Sequence, residues 1–338
     1  MSIKVSFAVP VYNVSDYIED CVRSLYEQTL DSIEIVFVDD CTPDDSMDIA
    51  LRVLEEYPHR KSQVKVIRHQ QNQGIAVTKR EALLGASGEY VIIVDSDDYV
   101  DRRMAELMYG KAIETGAEMV VCDYYWEKGG RQYRRTLVPD GVIGNGDNVR
   151  RDMLNKRVPP LHVMKLVSRD IYDREGVVWP RYSYGEDTIF NNVTAYYANR
   201  IAHVAEPLYY YRYNSLSISH KKLDESLVLK YYHEFGTNIA DGWQFLERMG
   251  VGGEYKRGEM INKLMVKNRL LSMVGKRKYR KMWWNTYPEI NKVILFGNEY
   301  YKPTYREWVW VAAIMLGIYP RYKERLWSRR FLPSREWI

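Results

Sequence analysis

Tyr90-Val91-Ile92-Ile93-Val94 runs without a break into Asp95-Ser96-Asp97-Asp98, and this junction decides how the chain is read. A short, uninterrupted apolar run suits a strand buried on both faces of a sheet. Its continuation puts three carboxylates into four residues, so the strand must reach the surface there, and like charges that close call for a cation. Aspartate oxygens suit a hard divalent ion such as Mg²⁺ or Mn²⁺, which keeps coordination positions open for phosphate oxygens. Taken alone, the same residues also describe a solvated turn in which Asp98 or Asp101 caps a helix starting near Arg102.

The surrounding chain favours the first reading. Short apolar, β-branched runs alternate with helical patterns: 5–9, then 15–28; 33–38, then 46–56; 64–67, then 75–84; 90–94, then 102–114. This is a βαβ succession, and it predicts an α/β fold with a mostly parallel sheet flanked by helices, whose ligands bind in the crevice beyond the carboxyl ends of the strands. The motifs fall at those ends. Pro10-Val11-Tyr12-Asn13 follows the first strand, Asp39-Asp40 the second, residues 69–74 the third and the aspartate loop the fourth.

Composition sets the outer bounds. With 338 residues, 46% of them hydrophobic, the chain can bury a full core as one large domain with an appendage or as two smaller ones. A net charge of +4 is modest, and over most of the chain the basic residues are not gathered with stacking aromatics, so no nucleic-acid partner is expected. Cys21, Cys41 and Cys122 are odd in number and lack metal-ligand spacing, which indicates neither a disulfide framework nor a zinc site and fits a reducing cytoplasm. The chain enters a strand pattern at once, and no export signal is read at its start.

Phe7-Ala8-Val9-Pro10-Val11-Tyr12-Asn13, Val38-Asp39-Asp40-Cys41-Thr42-Pro43-Asp44-Asp45-Ser46, Asn72-Gln73-Gly74, and Gly88-Glu89-Tyr90 leading into Asp95-Ser96-Asp97-Asp98 together resemble glycosyltransferase family 2. The resemblance is close over about the first 125 residues, resumes at Tyr184-Gly185-Glu186-Asp187-Thr188-Ile189-Phe190 and fades after about residue 220. It implies a GT-A-like catalytic domain over residues 1–220, with a nucleotide-sugar-binding half (1–125) and an acceptor half (126–220), followed by a helical C-terminal region (221–338). It also implies an inverting transfer from a nucleotide-sugar donor, a UDP-sugar by family habit, to a glycan or polyprenyl-linked saccharide acceptor, assisted by Mn²⁺ or Mg²⁺.

The resemblance assigns roles residue by residue. Asp40 would accept a hydrogen bond from the donor base, a task an ionised carboxylate suits. Asp44 or Asp45 is better placed to cap the helix near Ser46. Tyr12 would lay its ring against the base, and Pro10 and Ser96 would line the donor site. Asp97 would ligate the metal, while Asp95 would meet the ribose, a metal-bound water or the metal itself. Arg80 resembles the family arginine that orients this acidic cluster, although Lys79 and Glu81 flank it where a small residue and an asparagine are common. Asp187 would be the general base, with Glu186 beside it. Acidic residues at a helix N-terminus also offset the macrodipole, and without the other motifs that would explain the pair. Lys165-Leu166 resembles a family segment preceding another strand, with a core-flanking role as its alternative. Tyr209-Tyr210-Tyr211-Arg212 and residues 215–220 resemble the family's tail, where Arg212 or His220 would reach the diphosphate or metal unless this is an ordinary sheet edge.

Residues 308–319 form an apolar run too short to span a bilayer. Arg306 precedes it, Arg321, Lys323, Arg325, Arg329 and Arg330 follow it, and Trp308, Trp310, Tyr319 and Trp327 suit a headgroup layer. The pattern fits an interfacial helix at the inner face of the cytoplasmic membrane, or a core helix packed on the rest of the protein. Two other functional classes fit the sequence less well than a transferase. A sugar nucleotidyltransferase would need a glycine-rich, arginine-containing loop after the first strand, which Pro10-Val11-Tyr12-Asn13 is not. A silent nucleotide-sugar-binding scaffold would have no chemical reason to keep both Asp97 and Asp187.

Overall fold

The computed structural model describes residues 2–136, 144–145, 147–155, 161–214 and 224–317. Residues 215–220, with His220, and the basic and aromatic positions from Tyr319 to Arg330 lie outside the described residues. The chain divides into two compact units, residues 1–221 and 222–338.

In the first unit the βαβ succession is present: β1 Val5–Val11, α1 Ile18–Tyr26, β2 Ile33–Asp39, α2 Ser46–Leu54, β3 Val64–Arg68, α3 Ile75–Gly85, β4 Tyr90–Ile93, β5 Tyr99–Val100 and α4 Met104–Thr115. The chain continues through β6 Met119–Lys128, β7 Arg131–Arg135, β8 Gly144–Asn145, α5 Asp147–Leu154, β9 Lys165–Ser168, α6 Glu186–Tyr197 and β10 Arg200–Arg212. The strands form one sheet in the order β3-β2-β1-β4-β9-β6-β10-β5, with β7 on β6 and β8 on β10. Every residue of β1 and β2 is buried, as expected where helices cover both faces.

Strands β1 to β4 and the β6–β10 pair run parallel. β9 lies antiparallel between β4 and β6, so Lys165 and Leu166 open this strand rather than precede one. The chain lays β2 and β3 on one side of β1 and β4 on the other. That reversal opens a crevice beyond the ends of β1 and β4, where such sheets take their ligands.

Two helix starts differ from the periodicity. α1 begins at Ile18 rather than near residue 15 because Asn13 adopts a left-handed φ of 54° and Ser15 N donates to Asp44 Oδ2 at 2.9 Å, which holds residues 13–17 as a loop. α4 begins at Met104 with Arg103 as its N-cap and no side-chain cap; Asp101 Oδ1 accepts from Arg103 N at 2.8 Å in the turn before it, so neither Asp98 nor Asp101 caps this helix. At α2, Asp44 accepts from Ser46 N at 3.2 Å, while Asp45 makes no side-chain cap.

At the opposite end of the sheet Glu34, on β2, is buried. It accepts from Ser6 Oγ at 2.6 Å, from the Ser87 amide and hydroxyl, and from Lys65 at 2.7 Å. Burial alone would raise its pKa, but these donors together hold it below the ordinary range. Its contribution to stability is thus present above the unfolded carboxyl pKa and lost as pH falls through the folded one.

The second unit is helical: α7 Glu225–Arg248, α8 Lys256–Asn268, α9 Arg277–Asn285, α10 Pro288–Phe296 and α11 Tyr305–Leu316. Its core gathers Leu264, Leu271, Trp283, Ile294, Val311 and Ile314. Lys267 is fully buried and donates to the carbonyl oxygens of Trp283, Trp284 and Thr286 at the end of α9, and burial pushes its pKa down to about 7.

Glu34→Ala leaves the Ser6 and Ser87 donors buried without an acceptor. It is expected to cost about 1–3 kcal/mol, read as a lower urea midpoint at about pH 7, with the difference from wild type shrinking as the pH is lowered through the carboxylate range.

Candidate active site

The crevice is built from four strand ends. At β1, Pro10 is buried and Tyr12 is 46% exposed, so the tyrosine ring is open to a ligand. At β2, Asp39 Oδ1 accepts from Thr42 N at 2.9 Å and its Oδ2 pairs with Arg68 at 2.7 Å. Asp40, expected to face a donor base, is instead buried and engaged by the chain itself. Its Oδ1 meets His69 Nδ1 and Gln73 N, both at 2.7 Å, and its Oδ2 accepts from Gly74 N at 2.8 Å. Three donors converge on this carboxylate, so Asp40 holds the 69–74 loop against β2, with one of its roughly four acceptor sites left over.

At β4 the three aspartates divide their tasks. Asp98 points inward, where its carboxylate accepts from Tyr209 Oη and from Arg212 N, both at 2.7 Å. Burial, then the charges of Asp97 and Asp95, push its pKa well up. Asp97 accepts from Asn214 Nδ2 at 3.0 Å, and burial together with Asp95 raises its pKa. Ser96 is buried. Arg212, considered for a diphosphate contact, is occupied elsewhere. Its guanidinium donates to the Asp97 carbonyl at 2.6 Å, to Asp20 at 2.7 Å and to the Tyr17 carbonyl at 2.9 Å, and it lies over the rings of Tyr17 and Tyr99. It is a tie behind the aspartate loop, not an exposed edge residue.

The cation that reaches the acidic cluster is Lys79, not Arg80. Consecutive residues on a helix point about 100° apart, so only one of the two can face the crevice. Lys79 Nζ lies 3.3 Å from Asp95 Oδ1, 3.3 Å from Glu186 Oε1 and 3.7 Å from Asp187 Oδ1, with its side chain 3% exposed. Burial works against its charge, but the three carboxylates outweigh it and hold the ammonium protonated. Arg80 Nε is buried without a hydrogen-bond partner. The sequence carried a signal for Lys79 in its departure from the family's small residue, but that signal did not say where the side chain points.

Glu186 and Asp187 occupy the first turn of α6 after Gly185. Only the Glu186 contact with Lys79 has hydrogen-bond geometry, which leaves Asp187 Oδ1 and Asp95 Oδ1 buried without a hydrogen-bond partner. Burial and the Asp187 charge push Glu186 up to about 7, and burial likewise raises Asp187 against the pull of Lys79. Behind them, Lys165 Nζ donates to Asn191 Oδ1 at 2.8 Å, one turn along α6 from Asp187. The two halves of the crevice also touch at Gly74, whose φ is 87° and where an added Cβ would fall 2.5 Å from Ser183 Oγ.

Among the described residues no three His, Cys, Asp or Glu side chains form a metal cluster. An ion of the Mg²⁺ type, held through one or two carboxylates and completed by substrate phosphates, needs no such cage. Asp97 and Asp95, whose Oδ1 is ion-paired with Lys79 but makes no hydrogen bond, are hard oxygen donors of this kind.

Residues 6–176 match the model described as Glycosyl transferase family 2. The chain is 32% identical over 240 residues to the uncharacterized glycosyltransferase EpsJ of Bacillus subtilis, covering 67% of each. It is 31% identical over 261 residues to the putative glycosyltransferase EpsH of the same organism, covering 75% of this chain and 72% of that one. The chain therefore belongs to glycosyltransferase family 2 and is a glycosyltransferase. Among solved structures, residues 1–349 of S. aureus TarS in complex with UDP-GlcNAc superpose with a TM-score of 0.64 at 20% identity, covering 96% of this chain and 89% of that one. The mannosyltransferase PcManGT of Pyrobaculum calidifontis, solved with GDP-Man and Mn²⁺, gives 0.51 at 18% identity, covering 98% and 89%. The fold is of the GT-A type.

Lys79→Met removes the one cation that three carboxylates share. It is expected to destabilise the protein by about 2–3 kcal/mol at neutral pH, discounted from a fully buried pair because Asp95 and Asp187 keep some solvent contact. The deficit, read by chemical denaturation, should narrow toward about pH 5 as the raised Glu186 and Asp187 carboxyls take up protons.

Proposed function

We propose that this enzyme transfers a sugar from a nucleotide diphosphate donor to a glycan hydroxyl with inversion, using the β1–β4 end of the crevice for the donor and the first turn of α6 for the acceptor. The observation that carries this reading is the Lys79 ammonium, which ties the aspartate loop to the Glu186–Asp187 turn and so sets the two halves face to face. Tyr12 stacks on the base, with Pro10 and Ser96 lining that end. Asp40 holds the 69–74 loop, whose backbone faces the nucleotide, and the acceptor site left on its carboxylate serves the base. UDP is the donor nucleotide favoured by the family resemblance, in keeping with the UDP-GlcNAc bound to TarS.

Asp97, with Asp95, would hold Mn²⁺ or Mg²⁺, which neutralises the leaving diphosphate without a proton. Asp187 takes the proton of the acceptor hydroxyl. Its Oδ1 has no hydrogen-bond partner, whereas Glu186 is engaged by Lys79, and a positioned base contributes roughly 10²–10⁴-fold. Arg212 and Asp98 hold the aspartate loop from behind. The product fits a surface polysaccharide or similar glycan, the setting implied by the resemblance.

The acceptor is proposed to be presented at a membrane surface. No helix among the described residues is long and apolar enough to cross a membrane. α11 packs Val311 and Ile314 into the core of its unit, while Tyr305, Trp308, Val309, Met315 and Leu316 are exposed along its other side. The sequence beyond it carries Arg321, Lys323, Arg325, Arg329 and Arg330. Aromatic and apolar side chains beside a basic segment suit an anionic bilayer surface.

Asp187→Asn is expected to bind UDP like wild type and to lose transfer by roughly 10²-fold or more, while Asp97→Ala loses the Mn²⁺-dependent thermal shift given by UDP. Unchanged turnover in the first variant sinks the base assignment. In a separate test, Trp308→Glu combined with Leu316→Glu should co-sediment with anionic vesicles at least about fivefold less than wild type. Equal sedimentation of the two would remove the membrane contact.

A further inference from the structure

His69 stands at the end of β3 with both ring nitrogens on carboxylates. Nδ1 lies 2.7 Å from Asp40 Oδ1 and Nε2 lies 2.8 Å from Glu81 Oε2, and the side chain is 3% exposed. A neutral imidazole has one donor and one acceptor nitrogen, so in this geometry one lone pair would face a carboxylate oxygen; only the doubly protonated ring donates to both. Asp40 in turn accepts from Gln73 N and Gly74 N, and Glu81 lies on α3 two residues beyond Lys79.

We propose that His69, held as an imidazolium between Asp40 and Glu81, is the positioning residue of the Gln73–Gly74 turn, and that nucleotide affinity depends on its proton. The idea rests on the reading of the crevice as the donor site. The ring closes a circuit from the end of β2, through the end of β3, to α3 and back through the turn to Asp40, so the turn and the helix bearing Lys79 are fixed together. Glu81 supplies what an asparagine at that place could not, a second charge that keeps the ring protonated. The charged groups acting on the ring are Glu81 and Asp40, which raise its pKa against the effect of burial. The neighbouring Arg68–Asp39 pair is closed on itself. The sign follows from linkage. The clasp is complete below the ordinary histidine pKa and is lost as pH rises through the raised one, when one of the two contacts turns repulsive.

The test is calorimetric UDP binding with Mn²⁺, from about pH 6.5 to about pH 9, for wild type, His69→Gln and Glu81→Gln. Using the ratio of affinities to His69→Gln cancels the titration of UDP itself. At the acid end wild type should bind about tenfold tighter than His69→Gln, the ratio should fall toward one as pH rises, and Glu81→Gln should start that fall at lower pH. In steady-state kinetics the loss should appear in donor KM rather than kcat. A ratio independent of pH, or a loss confined to kcat, overturns the proposal. If His69→Gln does not fold, Glu81→Gln decides alone, and a pH dependence identical to wild type overturns it. Tyr12→Ala and Asp97→Ala are run alongside. If both bind UDP like wild type, the donor-site reading fails; if both weaken while the ratio stays flat, only the clasp fails.

Discussion

One ammonium buried among three carboxylates is the constraint to which the catalytic unit is fitted. An unpaired charge at that depth would cost several kcal/mol, so Lys79 is tolerated only while Asp95, Glu186 and Asp187 stay within about the 3.3–3.7 Å now seen. These partners come from three places: the loop after β4 and two successive positions at the start of α6. The ammonium therefore fixes the register of α3, β4 and α6 at once. The Gly74–Ser183 approach does the same a short distance away, since no side chain fits between the two loops. Elements far apart in sequence are locked together where a reaction needs them close, and the electrostatic cost of the acidic cluster is met from within the chain.

The aspartate loop is stabilised from the opposite side by β10. Tyr209 Oη donates to Asp98 and itself accepts from Asp95 N at 3.2 Å, and Arg212 reaches the Asp97 carbonyl. Three adjacent ionised carboxylates repel one another. Turning Asp98 inward removes one of them and makes it an anchor. The loop is thus rigid from behind and acidic in front, the arrangement expected of a site that must hold phosphate through a cation without closing around it.

The fold was legible because its signal is repeated. Four apolar runs each followed by a helical pattern leave little room for another architecture, and the acidic loops at the strand ends located the crevice. What could not be read were directions. Lys79 and Arg80 are neighbours of similar chemistry, and only the rotation of α3 decides which of them enters the crevice. The resemblance gives Asp40 a base contact, but that His69 and the amides of Gln73 and Gly74 are also its partners is a tertiary fact no local pattern carries. For Arg212 the sequence leaves a diphosphate contact and an ordinary sheet edge open, and its actual place is hidden for the same reason. Its partners Asp20 and Tyr17 lie about 190 residues earlier in the chain. The antiparallel β9 was hidden because a short buried strand carries no mark of its direction.

Glu186 and Asp187 show how adjacent carboxylates acquire different chemistry from position alone. Both sit in the first turn of α6, where the helix dipole favours negative charge, and both are pushed toward protonation by burial. Glu186 is 12% exposed and bonded to Lys79, while Asp187 is 34% exposed with an unengaged oxygen. A proton arriving at the pair therefore has two unequal homes. If Glu186 keeps it, Asp187 stays ionised beside two lysines, with Lys79 near its carboxylate and Lys165 acting through its charge from below. If Asp187 holds it instead, the charge left on Glu186 still faces an ammonium. The two singly protonated states each leave one carboxylate opposite a fixed cation, so moving the proton between Glu186 and Asp187 requires little rearrangement of the surrounding charges. For the base proposed at Asp187, fixed charges of this kind would supply electrostatic preorganisation.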